Sequence, residues 1–137
     1  MLNIKRLDID DAKTIIDGAR AKANEIGVPM CIAITDESGN LIAFERMNGG
    51  KITSINLAID KSYAAVGVQK GTHLLGEVNQ PGKPAHGIAS ALGGRMVVVG
   101  GGLPVFSGSD VVGGIGVSSG SPAQDLEVAQ AGVDAFA

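Results

Sequence analysis

Lys61 sits among Ile55, Ala58, Ile59, Ser62 and Ala65, small and apolar residues that recur at helical spacing. A lysine withdrawn from water on such a face can act as a nucleophile or base. The plain alternative is a snorkelling side chain, or an ion pair with Asp36 or Asp125. Arg46 and Arg95 flank the ends of apolar runs, where a guanidinium could hold a carboxylate; Arg46 could equally pair with Asp60. His86 lies in a loop bordered by Pro84 and Gly87, a setting that suits a general base or ligand and equally an exposed ring without a role. His73 and Glu77 are four residues apart and can face one another on a helix, as half of a metal site or as a solvated pair. A structural metal site wants about four ligands, and the chain holds 2 His and 1 Cys. No resident metal is therefore expected. No Ser-His-Asp order, catalytic carboxylate pair or cysteine-centred motif stands out.

Glycine supplies the other candidates. Gly100-Gly101-Gly102 could form a nest of backbone N–H groups for an anion, or simply a turn that needs positive φ. It is no P-loop, because no Gly-Lys-Ser/Thr follows. It is no dinucleotide fingerprint, because the next run reads as a strand. Gly113-Gly114-Ile115-Gly116 lies inside an apolar run. Glycine within a strand marks a bulge or the close approach of something else, here a flat ligand or another backbone.

These residues need a scaffold, and the stretch Met96–Ser119 dominates it. Three apolar runs, Met96–Val99, Leu103–Phe106 and Val111–Val117, are cut by Gly100–Gly102 and by Ser107-Gly108-Ser109-Asp110. Such runs predict antiparallel strands on tight turns. They are nearly continuous, so both sheet faces must meet apolar partners. Upstream, Asp8 is placed to cap a helix whose inner face is Ala12, Ile15, Ile16, Ala19, Ala23 and Ile26, stopped by Gly27. Val28–Thr35 and Leu41–Arg46 read as a hairpin across Asp36–Asn40. Ser54 is placed to cap a second helix, Thr72 a short helical turn, and His86–Arg95 lacks a period. Ser121-Pro122-Ala123-Gln124 is a capping box with proline at the first helical position, and it opens a last helix. The expected order is α-β-β-α-β-β-β-α, an α+β fold with a five-stranded antiparallel sheet.

The chain has 137 residues, read as a single domain over 1–137. It is 45% hydrophobic and 3% aromatic, so the core must be built from Val, Ile, Leu and Ala. Charged residues are 18%, below the usual quarter. A small, weakly charged, Gly- and Ala-rich chain often hides surface in an oligomer. The net charge of −3 argues against nucleic acid and anionic membranes, which need clustered Lys and Arg. A single cysteine forms no internal disulfide and suits a reducing compartment. No signal-length or membrane-spanning apolar run is seen, so a cytoplasmic location is expected.

The assembled pattern resembles the GlcG/HbpS family, the haem-degrading-like domain also found at the C-terminus of PduO-type proteins. The resemblance runs over about residues 8–136 and is carried by ITDESGNLIAFERMNGG at 34–50, by the spacing Ser54, Ala58, Lys61, Ala64-Ala65, by GGGLPVF at 100–106, and by VVGGIGVSSGSPAQDLEVAQAG at 111–132. It implies a profilin-like fold and homo-oligomers from dimer to octamer. It also implies a small-molecule ligand that in some members is haem or a related tetrapyrrole, here haem or a corrinoid. Family members can place an axial histidine on the first helix. This chain has none there, so an axial donor would come from His73, His86, a methionine or Tyr63. The motif positions that match the family are Asp36, Arg46, Lys61, Gly101, Gly102, Pro104 and Asp125; with Gly114 from the glycine-interrupted strand, the expected ligand-contacting set is Asp36, Gly101, Gly102, Pro104, Gly114 and Asp125.

Three functions are consistent with these readings. The first is an oligomeric binding module. The second is a small enzyme, an isomerase, hydratase or decarboxylase of a small organic acid or carbonyl compound, with Lys61, Arg46 and His86 as its acid–base and anion-holding groups. The third is an assembly partner of a larger enzyme.

Overall fold

The computed structural model describes all residues, Met1–Ala137. Helix α1 (Ile9–Ile26) leads into strands β1 (Cys31–Asp36) and β2 (Leu41–Arg46). Helices α2 (Ser54–Val68) and α3 (Thr72–Val78) follow, then β3 (Gly102–Ser107), β4 (Asp110–Ser118) and α4 (Pro122–Phe136). The sheet is antiparallel with the order β2-β1-β4-β3. It has four strands rather than the expected five. Met96–Val99 does not pair: Met96 packs with Ala64 and Leu75, and the Val99 carbonyl accepts the Thr72 hydroxyl at 2.6 Å. The run is apolar because it covers α2 and α3. Two short 3₁₀ turns, Ile88–Ser90 and Leu92–Gly94, precede it.

The local signals at the chain's helix ends mostly hold. Asp8 and Asp11 form a reciprocal capping box on α1, and Ser121 and Gln124 do the same on α4. The first strand starts at Cys31, three residues later than expected, because Val28 N–H still bonds the Ala23 carbonyl at the end of α1. Two caps are corrected. Thr53, without a side-chain bond, precedes α2, and Gly71 precedes α3. The hydroxyls of Ser54 and Thr72 are drawn instead into tertiary contacts with Ser118 and with the Val99–Gly102 turn.

Both faces of the sheet are covered by this chain's own helices. Ile32, Ile34, Ile115 and Val117 point into a core with Ile15, Ile16 and Ala19 of α1 and Val128 and Ala129 of α4. On the opposite face α2 lies against β1 and β4. Its Ala58 packs with Cys31 and Ala33, and Ser62 shares a buried 2.6 Å hydrogen bond with Thr35. This approach is what the glycines inside β4 allow. A Cβ on Gly116 would run into the Ala58 carbonyl and lie 2.6 Å from the Ser62 amide, and one on Gly114 would lie 2.5 Å from Val66 Cγ2. The partner anticipated for these glycines is α2 itself.

The N-terminal segment is tied down separately. Leu7 is buried and its N–H bonds the Val112 carbonyl. Arg6 makes two hydrogen bonds to Glu37, at 2.8 and 2.6 Å. That pairing holds the Glu37 carboxyl at about 2, well below the ordinary glutamate value.

Substitution and pH both test this packing. Gly116→Ala should destabilise the protein by about 3 kcal/mol, the upper range for overpacking a filled interior. Gly67→Ala, on α2 with open space around it, should stabilise by roughly 0.5–1 kcal/mol through helix propensity; urea denaturation reads both. A carboxyl whose folded value is depressed contributes stability that is present above its unfolded value and lost as pH falls. Stability should therefore drop between the ordinary glutamate range and about pH 2, and Arg6→Ala should flatten that part of the urea midpoint-against-pH curve.

Candidate functional site

A cleft of about 270 Å³ opens where the C-terminal end of β4 turns into α4, with the start of α2 as its other wall. Lys61 and Asp125 form its floor. The Lys61 ammonium donates to Asp125 Oδ2 at 2.9 Å and to the Val117 carbonyl at 2.9 Å. Asp125 Oδ1 accepts the Gly120 N–H at 2.9 Å. Lys61 is 2% exposed and Asp125 3%, so the pair is withdrawn from water while its polar end borders the cleft. Burying two charges is costly, and the cost is met only with good geometry and further hydrogen bonds. Here the carbonyl and the amide supply those. Asp125 also lies in the first turn of α4, where the helix dipole favours an anion.

The surrounding backbone is shaped to the pair. Gly101 has φ +127°, and a Cβ there would stand 3.0 Å from Lys61 Nζ and 2.9 Å from Asp125 Cβ. Gly102 backs onto the Lys61 carbonyl, and its N–H bonds Thr72. Ser54 and Ser118 share a buried 3.1 Å hydroxyl–hydroxyl bond. Ser119, a non-glycine residue, is held at φ +118°, with its hydroxyl accepting the Lys51 N–H at 3.1 Å. Strain of this kind in a non-glycine residue gathers where structure over-determines a site. Leu57, Val97 and Val99 make the apolar part of the wall.

Of the sequence candidates, Lys61, Asp125 and Gly101 converge here, and the open choice of partner for Lys61 resolves to Asp125. Gly102, Pro104 and Gly114 lie along the α2-facing sheet: Pro104 is buried on edge strand β3 opposite Gly114, where a missing donor is tolerated. Asp36 is elsewhere. Its Oδ1 accepts Ser38 and Asn40 N–H at 2.9 and 3.0 Å, closing the β1–β2 turn. Arg46 is exposed at the end of β2, beside Arg20 and Glu45 in a different, shallow groove. His86 is exposed in the loop after α3. Lys61, Arg46 and His86 thus do not share a cavity. Asp60 pairs with Arg95 at 2.8 Å, and Arg95 lies 3.7 Å over the Tyr63 ring, which covers that phenol. His73 is half-buried beside Gly71, with Nδ1 buried and without a hydrogen-bond partner. No group of three or more His, Cys, Asp or Glu converges as a metal-binding cluster. No helix is long and apolar enough to cross a membrane.

Sequence reasoning missed Ser54, Ser118 and Ser119 as cleft residues. The polar run Ser118-Ser119-Gly120-Ser121 between a glycine-rich strand and a capping box was the available signal, since such strand-to-helix turns aim backbone N–H groups outward.

Several known proteins resemble this chain over nearly its whole length. A 15.0 kDa protein from the dhaT-dhaS intergenic region of Citrobacter freundii is 35% identical over 133 residues, 97% of this chain and 94% of that protein. The corrinoid adenosyltransferase PduO of Salmonella typhimurium is 33% identical over 130 residues, 95% of this chain; the match spans 39% of PduO's length. Among solved structures, the Klebsiella pneumoniae protein ORFY matches with a TM-score of 0.97 at 29% identity, covering 99% of this chain and 94% of that one. The haem complex of PduOC matches with a TM-score of 0.91 at 33% identity, covering 95% and 94%. The family model described as haem degrading protein HbpS-like matches residues 7–134, and the chain belongs to this HbpS-like family.

Proposed function

We propose that this protein is a small-molecule-binding protein that works as a homo-oligomer and takes haem or a related tetrapyrrole such as a corrinoid. The observation that carries the reading is the haem complex of PduOC, 33% identical to this chain over nearly its whole length. The corrinoid enzyme among the relatives supports the wider ligand class.

The residues present fit a macrocycle on a surface better than in an enclosed pocket. The Lys61 cleft, at about 270 Å³, is below the usual size of a cofactor site. A groove of about 440 Å³ runs along α3, lined by Val68, Leu74, Leu75 and Val78 together with the charged Lys70 and Glu77. The apolar side chains would support an apolar ring, and Lys70 would meet a propionate. His73 is on the same helix but outside the groove's lining, with an unpartnered Nδ1 buried beside Gly71; as an axial donor its ring would have to turn toward the groove. Bound haem would supply an iron centre tuned by that donor and by burial. The groove is open on one side, so a second copy of the chain would complete it.

The relatives also favour a second reading. In PduO the matching region is 39% of a longer enzyme, which supports a role as an assembly partner; a stoichiometric enzyme retained after mild lysis would select that reading.

A hemin titration followed by absorbance tests the first. The wild type should give a saturable Soret shift that His86→Ala keeps and His73→Ala loses, with a species larger than a monomer in light scattering. No saturable shift in the wild type, or the same shift in the double variant, would overturn haem binding through these histidines.

A further inference from the structure

We infer that the Lys61–Asp125 cleft is a separate binding site for a small monocarboxylate. The site shows itself in the hydrogen-bonding capacity left over at its floor. The Lys61 ammonium has three N–H groups, and the protein uses two, on Val117 and Asp125. Ser54 and Ser118 have two hydroxyl hydrogens between them and share one bond. One ammonium N–H and one O–H are thus without acceptors, at side chains only 2–4% exposed. Buried donors are normally satisfied, so the floor is built for an acceptor that enters from the cleft. Both Asp125 oxygens are already engaged, which leaves the floor a donor surface.

Charge and size narrow the class. The ionisable groups lining the cleft are Lys51, Lys61 and Asp125, two cations against one anion. One further negative charge brings the site to neutrality, whereas a dianion would leave an excess. Lys51 is exposed at the rim, and its charge attracts the anion without being buried by it. The apolar wall of Leu57, Val97 and Val99 suits a short hydrocarbon body above the carboxylate. About 270 Å³ leaves room for an acid of a few carbons, below the range of sites that take drug-sized ligands. The strained Ser119 backbone keeps the β4–α4 turn wrapped around this volume.

The same chemistry could come from a free acid or from the propionate of a tetrapyrrole, and the test separates them. Propionate is titrated into ¹⁵N-labelled wild-type protein, with propionamide, malonate and sodium chloride at matched ionic strength as controls. Saturable shifts confined to the amides of Ser54, Ser118, Ser119, Gly120 and Asp125 are expected, with propionamide weaker by about tenfold, the step of one lost charge-assisted bond, and malonate weaker through its excess negative charge. Leu57→Trp, which fills the mouth and leaves the buried pair alone, should abolish the response, and Ser54→Ala should weaken it. Repeating the titration with hemin present distinguishes the sources: unchanged binding supports a free acid, and displacement supports a propionate as the carboxylate held. Absence of saturation, an equal response to chloride, or full binding in Leu57→Trp would overturn the proposal. A protein that binds propionate and fails to bind hemin would keep this site and lose the tetrapyrrole reading.

Discussion

Helix α2 lies so close to the sheet that the glycines of β4 leave no space for a methyl group. Gly114 and Gly116 face Val66, Ser62 and Ala58, and the helix answers with small residues at those turns. That contact fixes the height and rotation of α2. With both set, Lys61 has one direction in which to extend, over the edge of β4 toward the first turn of α4. Its ammonium reaches the Val117 carbonyl and the Asp125 carboxylate together. A larger residue at either glycine would lift the helix and pull that ammonium away from both acceptors. The packing constraint therefore comes before the electrostatic one.

The ion pair in turn organises the backbone around it. Removing one partner of a buried pair typically costs about 3–5 kcal/mol, because the other charge is stranded. A site that holds such a pair must keep it satisfied, and here four chain segments contribute: α2 through Lys61, β4 through Val117, the β4–α4 turn through Gly120, and α4 through Asp125. Gly101 closes over the top without a side chain. The pair is thus a clasp between sequence-distant pieces, and its one unused N–H is what turns a structural clasp into a recognition element.

Much of this was legible in the residues. The capping signals at Asp8 and Ser121, the stop at Gly27, the β1–β2 hairpin and the glycine-cut strands follow local rules and appear where those rules put them. The pairing of Lys61 with Asp125 was among the alternatives, since opposite charges on buried faces must meet something. What failed were inferences in which tertiary contacts override local chemistry. Met96–Val99 has the composition of a strand, yet it serves as cover for α2 and α3. Ser54 and Thr72 have the side chains of caps, yet each spends its hydroxyl across the fold. Asp36, Arg46 and His86 looked chemical one at a time, and distance in the fold keeps them apart.

Scale decides how the two proposed ligands relate. A tetrapyrrole is a broad, flat, largely apolar body, and the only groove here with a matching apolar lining is the open one along α3. The Lys61 cleft is smaller, donor-rich and backed by charge. The two draw on different residues of α3 and the segment after it: Leu74 and Val78 line the groove, while Val97 and Val99 line the cleft. Met96 between them is buried against α2 and α3. Any occupant that displaced the α3 helix would therefore move the cleft wall as well. Thr72, bonded to Val99 and Gly102 at once, is the joint through which such a displacement would pass, so the segment that failed to become a fifth strand is the one that physically connects the two sites.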